Sequence, residues 1–293
     1  MAYIEIQNLT KDFGDSRGIY DINLSINQGE VFGFVGTNGA GKTTTLRHLM
    51  GFIKQQKGTA TISGLDCWQD AANIKKLVGY IPGEIAFPDA KTGSEFLERQ
   101  AALIGLQDDR YMKLMIERLQ LDPTADLKRM SKGMKQKTAI VAALMADAPV
   151  LLLDEPTTGL DPLMRAVFID ILKEEKHKGK TIFMSSHMFD EVEHICDHVA
   201  LIKEGRIIDV KATADIQNRT EKEYEIVFTS AEDYKRFFLE DMHIVEKQID
   251  KQLVVIQTND AAINQLFALL KRYSVKQLSE RKYSLAQYFK SLY

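Results

Sequence analysis

Eight consecutive residues, Gly36-Thr37-Asn38-Gly39-Ala40-Gly41-Lys42-Thr43, fit a phosphate-binding loop. Its glycines let the backbone wrap closely, so that N–H groups point at a β-phosphate. Lys42 then reaches the β and γ oxygens, and the Thr43 hydroxyl can hold Mg2+. An apolar run of buried-strand character, VFGFVG at 31–36, leads into the loop. Behind it Leu46, Leu49, Met50 and Ile53 recur at helical spacing. The loop therefore opens a helix, and the helix dipole adds attraction for an anion. That strand–loop–helix context argues against a chance glycine-rich turn.

Asp154 and Glu155 close another apolar run, VLLLD at 150–154. A carboxylate at the C-terminal end of a strand beside a phosphate loop is placed to hold Mg2+ or its water. Glu155, one residue on, points elsewhere and is placed to polarise an attacking water. The bland alternative is a pair of surface acids at a strand end. His187 follows a third apolar run, TIFMSS at 181–186. It sits at the carboxyl edge where α/β proteins bind ligands, and reads as a γ-phosphate contact rather than a helix-start residue with a local hydrogen bond. His177, His194 and His198 lack that placement and read as solvated or structural.

A second basic, glycine-containing stretch, KRMSKGMKQK at 128–137, carries five cations around Ser131 and Gly133. The helical pattern behind it makes it a helix N-terminus, which favours an anion. One loop is enough for one nucleotide, so two readings stand. It is a solvated basic helix start, or it closes on the phosphate of a second copy in a two-fold dimer with two identical composite sites. Spacing alone does not choose between them.

These groups must be carried by a chain of 293 residues, long enough for one large core and a smaller domain. Net charge is −3, which gives no global pull toward nucleic acid. Cys67 and Cys196 form no CxxC and read as reduced thiols in a cytosolic protein. The N-terminus lacks the pattern of a signal peptide. The longest apolar run is broken by Asp147 and Pro149, so it does not span a bilayer. Residues 1–30 read as antiparallel strands, with GTATISG at 58–64 returning to the same sheet. TGSE at 92–95 has the form of a capping box, and the chain from there to Met145 is helical in pattern. Asp161-Pro162 starts a further helix, and VALIKEGRII is a hairpin turning at Glu204-Gly205. The expectation is an α/β ATPase core with an antiparallel β subdomain and a helical insertion at about 84–147. Near 211–222 the composition turns polar, which places a boundary between a domain of 1–215 and a small α+β domain of 222–293, of the ferredoxin-like kind.

Together these pieces resemble the ATP-binding cassette family over residues 1 to about 215. GTNGAGKTT, Gly36 to Thr44, looks like its Walker A, and VLLLDEP like its Walker B with Glu155 as catalytic residue. MSKGMKQK looks like its signature motif, TTGLD with Asp161 like its D-loop, and SSH with His187 like its switch histidine. Phe13 falls where the family keeps an aromatic that stacks on adenine. The resemblance implies ATP and Mg2+ as cofactors, with Lys42, Glu155 and His187 catalytic and Thr43 and Asp154 at the metal. It implies a Ser131–Gly133 loop that completes the partner's ATP site, a second ATPase subunit as homodimer partner, and a separate membrane permease. The chain would then work at the cytoplasmic face of the membrane. The GYIPGE form, the GMKQK signature and the tail resemble the drug- and peptide-export branch. A permease would dock near 83–100, with Phe87 and Pro88 exposed. Two departures stand out. The signature is Met130-Ser131-Lys132-Gly133-Met134 instead of the usual Leu-Ser-Gly-Gly-Gln, and Gly83 stands where the family commonly has the Q-loop glutamine. Glu84 is the residue that could substitute. The rival readings are a cassette ATPase unconnected with transport, and an ATP-holding regulator with little turnover.

Overall fold

The structure, a computed structural model, describes residues 2–15, 17–217, 221–259, 261–281, 284–290 and 292. It divides into two compact units, Met1–Ala212 and Thr213–Tyr293.

The first unit is organised by strands too apolar to face water on either side. β1 (Ala2–Asp12) and β2 (Gly18–Asn27) form an antiparallel pair. β3 (Val31–Val35) follows, buried at every position, and leads to α1 (Lys42–Leu49). β4 (Lys57–Ile62) pairs antiparallel with β1, and β5 (Leu65–Asp66) completes a sheet of order β2-β1-β4-β5. Next come α2 (Ala71–Leu77), β6 (Val78–Ile81), α3 (Gly93–Ile104), α4 (Arg110–Arg118) and α5 (Lys132–Leu144). The remainder is β7 (Val150–Asp154), α6 (Pro162–His177), β8 (Thr181–Ser186), α7 (Phe189–Ile195), β9 (His198–Lys203) and β10 (Arg206–Ala212). Six of these strands form the central sheet in the order β10-β9-β3-β8-β7-β6. All its pairings are parallel except β10 on β9. β7 and β8, like β3, are buried throughout, as strands covered on both faces must be.

The helical insertion starts at Thr92, whose hydroxyl accepts from Glu95 N at 3.2 Å. The returning arm of the capping box goes one residue further back, from Lys91 N to Glu95 Oε2 at 2.7 Å. Phe87, expected to be exposed, is half-buried instead, because its ring packs edge-on against Phe96 at 4.7 Å. The exposed large apolar residues of the insertion are Leu103 and Ile104 at the end of α3 and Leu114 of α4.

In the second unit the polar stretch after Ala212 forms α8 (Thr213–Gln217), which packs against α11 (Leu285–Lys290). Between them lie β11 (Glu221–Phe228), α9 (Ala231–Arg236), β12 (Ile244–Gln248), β13 (Leu253–Asn259), α10 (Ile263–Leu270) and β14 (Val275–Arg281). The strand order β12-β13-β11-β14, all antiparallel, with one helix in each crossover, is ferredoxin-like. Phe228 anchors its core, meeting Phe237 at 5.1 Å and Tyr273 at 5.8 Å. No helix among the described residues is long and apolar enough to cross a membrane. Cys67 and Cys196 are free and buried, and burial pushes the Cys67 thiol up to about 12.

A buried carboxylate fastens the helical insertion to the core. Glu175 of α6 is fully buried. It accepts from Tyr111 Oη of α4 at 2.6 Å and from Lys178 at 2.6 Å, and pairs with buried Lys180. Next to it Arg118 grips Glu174 through two bonds of 2.5 and 2.8 Å. Burial alone would raise the Glu175 pKa, but its three donors outweigh that and hold the carboxyl below its ordinary value. Glu175→Ala is expected to lower unfolding stability at pH 7 by about 3 kcal/mol in urea titrations, since it strands Lys180 and Tyr111. A depressed folded-state pKa gives stability that is present above the ordinary value of 4.5 and lost as pH falls through the folded value. The gap to wild type should therefore narrow below that pH.

Candidate active site

Parallel pairing puts the C-terminal ends of β3, β8 and β7 side by side on one edge of the central sheet. Val35 pairs with Ser186 and Asp154 with Ser185. The phosphate loop after β3, His187 after β8 and Asp154-Glu155 at the end of β7 therefore gather at one place. This is the edge where such sheets bind ligands.

The loop closes on itself through its lysine. Lys42 is buried, and its Nζ donates to Gly36 O at 2.6 Å and to Thr37 O at 3.2 Å. The turn needs a glycine at Gly41, whose φ is 112°. A Cβ there would also meet Ile19 Cγ2 at 2.7 Å. Asn38, Gly39, Ala40, Gly41, Lys42, Thr43 and Thr44, with Phe13 and Glu155, line a cleft of about 370 Å3. Phe13 is 54% exposed, so its ring is available to a flat ligand, with Lys11 Nζ 5.7 Å from its centre.

Asp154 and Glu155 diverge because Glu155 is left-handed, at φ 51°. Asp154 is fully buried, and its Oδ1 accepts from Ser185 Oγ at 2.6 Å. The same hydroxyl accepts from Glu155 N at 3.0 Å. Asp154 Oδ2 is buried without a hydrogen-bond partner. A buried carboxylate oxygen with no donor is costly unless a cation meets it, and an oxygen-lined spot suits a hard divalent ion. Glu155 Oε1 forms an ion pair with Lys42 at 3.1 Å, and Oε2 lies 2.5 Å from His187 Nδ1. His187 is half exposed. One carboxylate thus stands between the loop lysine and the strand-end histidine.

The loop after β6 touches the same group. A Cβ on Gly83 would lie 2.6 Å from Asp154 Oδ2, so the backbone presses directly on that carboxylate. Glu84 is exposed beside it and joins none of the ion pairs just described.

The second basic loop lies elsewhere. Ser131 is the N-cap of α5, with its Oγ accepting from Met134 N at 3.2 Å. Lys128, Arg129 and Lys132 are exposed, and Lys135 and Lys137 half-buried. Gly133 packs on the segment after β7, where a Cβ would meet Gly159 O at 2.8 Å. None of 128–137 lines the phosphate-loop cleft. Asp161 caps α6, accepting from Met164 N at 2.9 Å, and is exposed.

Several supporting groups escape a reading of motifs. Ser185 holds both strand-end acids. Gln136 is buried on α5 and donates to Pro156 O at 2.7 Å, tying the helix behind Ser131 to the turn after Glu155. A signal existed in each case: a polar residue in an apolar strand, and one on an apolar helix face with Ile140 and Ala143. Gly41→Ala is expected to weaken binding of a fluorescent ATP analogue about tenfold or more, since it adds both backbone strain and a clash. Urea titration would show whether the fold survives the change.

Known proteins are similar to this chain in sequence and fold. A protein-family model described as "ABC transporter" matches residues 19–158. The bacitracin transport ATP-binding protein BcrA of Bacillus licheniformis is 34% identical over 246 residues, covering 82% of this chain and 79% of that protein. The linearmycin resistance ATP-binding protein LnrL of Bacillus subtilis is 31% identical, covering 74% and 71%. A solved ATP-binding subunit of an ABC transporter superposes with a TM-score of 0.67 at 28% identity, covering 73% of this chain and 92% of that one. An ATP-binding cassette solved as a dimer in a post-hydrolysis state with ADP and Pi has a TM-score of 0.64 at 22% identity, covering 72% and 98%. That last likeness concerns the fold alone.

Proposed function

Because the chain belongs to the ABC transporter ATP-binding family, we propose that it powers an exporter by closing on a second copy of itself around two shared ATP sites. It is an ATPase subunit coupled to transport. The observation that carries the finer reading is Glu155, held between Lys42 and His187 at the mouth of the phosphate-loop cleft.

The chemistry follows from that position. A γ-phosphate entering the cleft competes with the Glu155 carboxylate for Lys42, which leaves Glu155 facing the phosphorus. Glu155 takes a proton from a water whose oxygen bonds to the γ-phosphorus while the bond from that phosphorus to the ADP oxygen breaks. His187, already against Glu155, holds that carboxylate in place and contacts the γ-phosphate. Phe13 stacks on the base, and the Gly36–Thr44 backbone and side chains hold the phosphates. Asp154 and Thr43 would hold Mg2+, which neutralises phosphate charge when bound. Ser131 and Gly133 sit at a helix start that its own cleft does not use, so in this reading they close on the partner copy's γ-phosphate, with Asp161 at the same seam. A cassette of this fold has been solved as a dimer with ADP and Pi, which agrees with a two-copy arrangement.

The permease docks on a groove of about 900 Å3 between α3, α5 and the loop after β6, walled by Phe87, Pro88, Leu103 and Ile104. A groove with this apolar wall and with Lys75 and Lys76 beside it suits a short amphipathic helix from the cytoplasmic side of a membrane protein, which supports a place for the chain at that face. The name of a relative 35% identical over 213 residues, the Nod factor export ATP-binding protein I of Burkholderia lata, supports export as the direction of transport.

Glu155→Gln is expected to cut turnover about 100-fold or more while ATP binding persists, and the wild-type chain is expected to copurify with an integral membrane protein. Undiminished turnover in the variant would remove Glu155 from its role. Turnover without any membrane partner would favour a cassette ATPase unconnected with transport.

A further inference from the structure

We propose that Glu191 is a positioning residue that ties together the two strand ends bearing Glu155 and His187, an assignment that rests on the reading of those residues above. Glu191 lies on α7 and is only 6% exposed. Its Oε2 accepts from Thr157 Oγ1 at 2.8 Å and from Ser186 Oγ at 3.3 Å. Its Oε1 pairs with Arg165 Nε of α6 at 3.1 Å. Thr157, 3% exposed, is two residues beyond Glu155, Ser186 directly precedes His187, and Arg165 is one turn past Asp161. One buried carboxylate thus contacts the three segments that carry Glu155, His187 and Asp161.

The segment from 155 to 161 needs such a fastener. It leaves β7 at a left-handed Glu155 and contains a left-handed Gly159. Its own backbone bonds are short turns, from Thr158 N to Glu155 O at 3.1 Å and from Leu160 N to Thr157 O at 3.0 Å. Apart from the two bonds of Glu155 N to Ser185, what fixes it is side chains: Gln136 on Pro156 O and Glu191 on Thr157. A carboxylate this far from water persists only where its charge is met; here two hydroxyls bond Oε2, and the Arg165 guanidinium pairs with the charge at Oε1, which takes no hydrogen bond. Because Ser186 shares the acceptor with Thr157, any displacement of the Glu155 turn is felt at the backbone that presents His187. The Glu155–His187 distance of 2.5 Å is set on both sides by Glu191.

The test uses Thr157→Val, which keeps the shape and removes the hydroxyl, together with Glu191→Ala, Glu191→Gln and the Thr157→Val/Glu191→Ala double variant. Misplacing reacting groups costs about 10- to 100-fold in rate, so kcat should fall by that much in Thr157→Val and in Glu191→Ala. KM and the dissociation constant of a fluorescent ATP analogue should stay within about twofold, because the phosphate loop is untouched. Glu191→Gln, which keeps an acceptor for Thr157, should recover most of kcat. The double variant should be no worse than the poorer single, since the Thr157–Glu191 bond that Thr157→Val removes is already lost in Glu191→Ala. A kcat for Thr157→Val within about twofold of wild type would overturn the proposal. So would parallel losses in kcat and ATP affinity, or losses that multiply in the double variant. Should Glu191→Ala not fold, Thr157→Val still decides. Glu155→Gln serves as the control: if it keeps turnover, the reading of the site is wrong, whereas its loss beside an active Thr157→Val sinks only the role of Glu191.

Discussion

Everything at the sheet edge depends on where the charge of Glu155 goes. A carboxylate at the end of a buried strand cannot be left unpaired in a half-closed cleft. Here it is shared between Lys42 at 3.1 Å and His187 at 2.5 Å. Those two residues come from the strand ends of β3 and β8, so the pairing requires the parallel order β3-β8-β7. It also requires the left-handed backbone at Glu155, which turns its side chain away from Asp154. A regular extended residue at that point would send the carboxylate elsewhere.

The same constraint explains how the rest of the first unit is built. Asp154 and Glu155 are both referred to Ser185, so the acids move with β8 rather than independently. α5 carries Ser131 at its start and, five residues later, Gln136 on Pro156 O. The basic helix start is therefore registered to the turn after Glu155 although it lies outside the cleft. The helical insertion as a whole is fastened through Tyr111 and Arg118 to α6, whose N-cap is Asp161. The helices beside the groove at α3 connect to the acids through packed, hydrogen-bonded elements. In a close-packed interior such elements move as units.

Much of this could be read from the chain itself. The phosphate loop, the two acids and His187 each end an apolar run, and parallel strands of that length leave their carboxyl ends on one edge. That is why the motif positions converged as expected. The capping residues Thr92, Ser131 and Asp161 follow from local chemistry, as does the hairpin turn at Glu204-Gly205. What escaped depends on contacts between distant segments. Nothing local says that Tyr111 meets Glu175, that Gln136 meets Pro156, or that Glu191 gathers Thr157, Ser186 and Arg165. Phe87 looked exposed because the ring it packs against, Phe96, belongs to the next helix. Gly83 looked like a missing side chain. Its proximity to Asp154 Oδ2 shows instead a backbone pressed where any side chain would collide.

The central claim is that this site is completed by a second copy of the chain through Ser131. Light scattering on the Glu155→Gln variant with saturating Mg-ATP tests it most directly, run beside the same variant carrying Ser131→Arg. The account predicts that nucleotide doubles the mass of the first and leaves the second at the mass of one chain. A mass that stays single in both, or a doubling that survives Ser131→Arg, would contradict it.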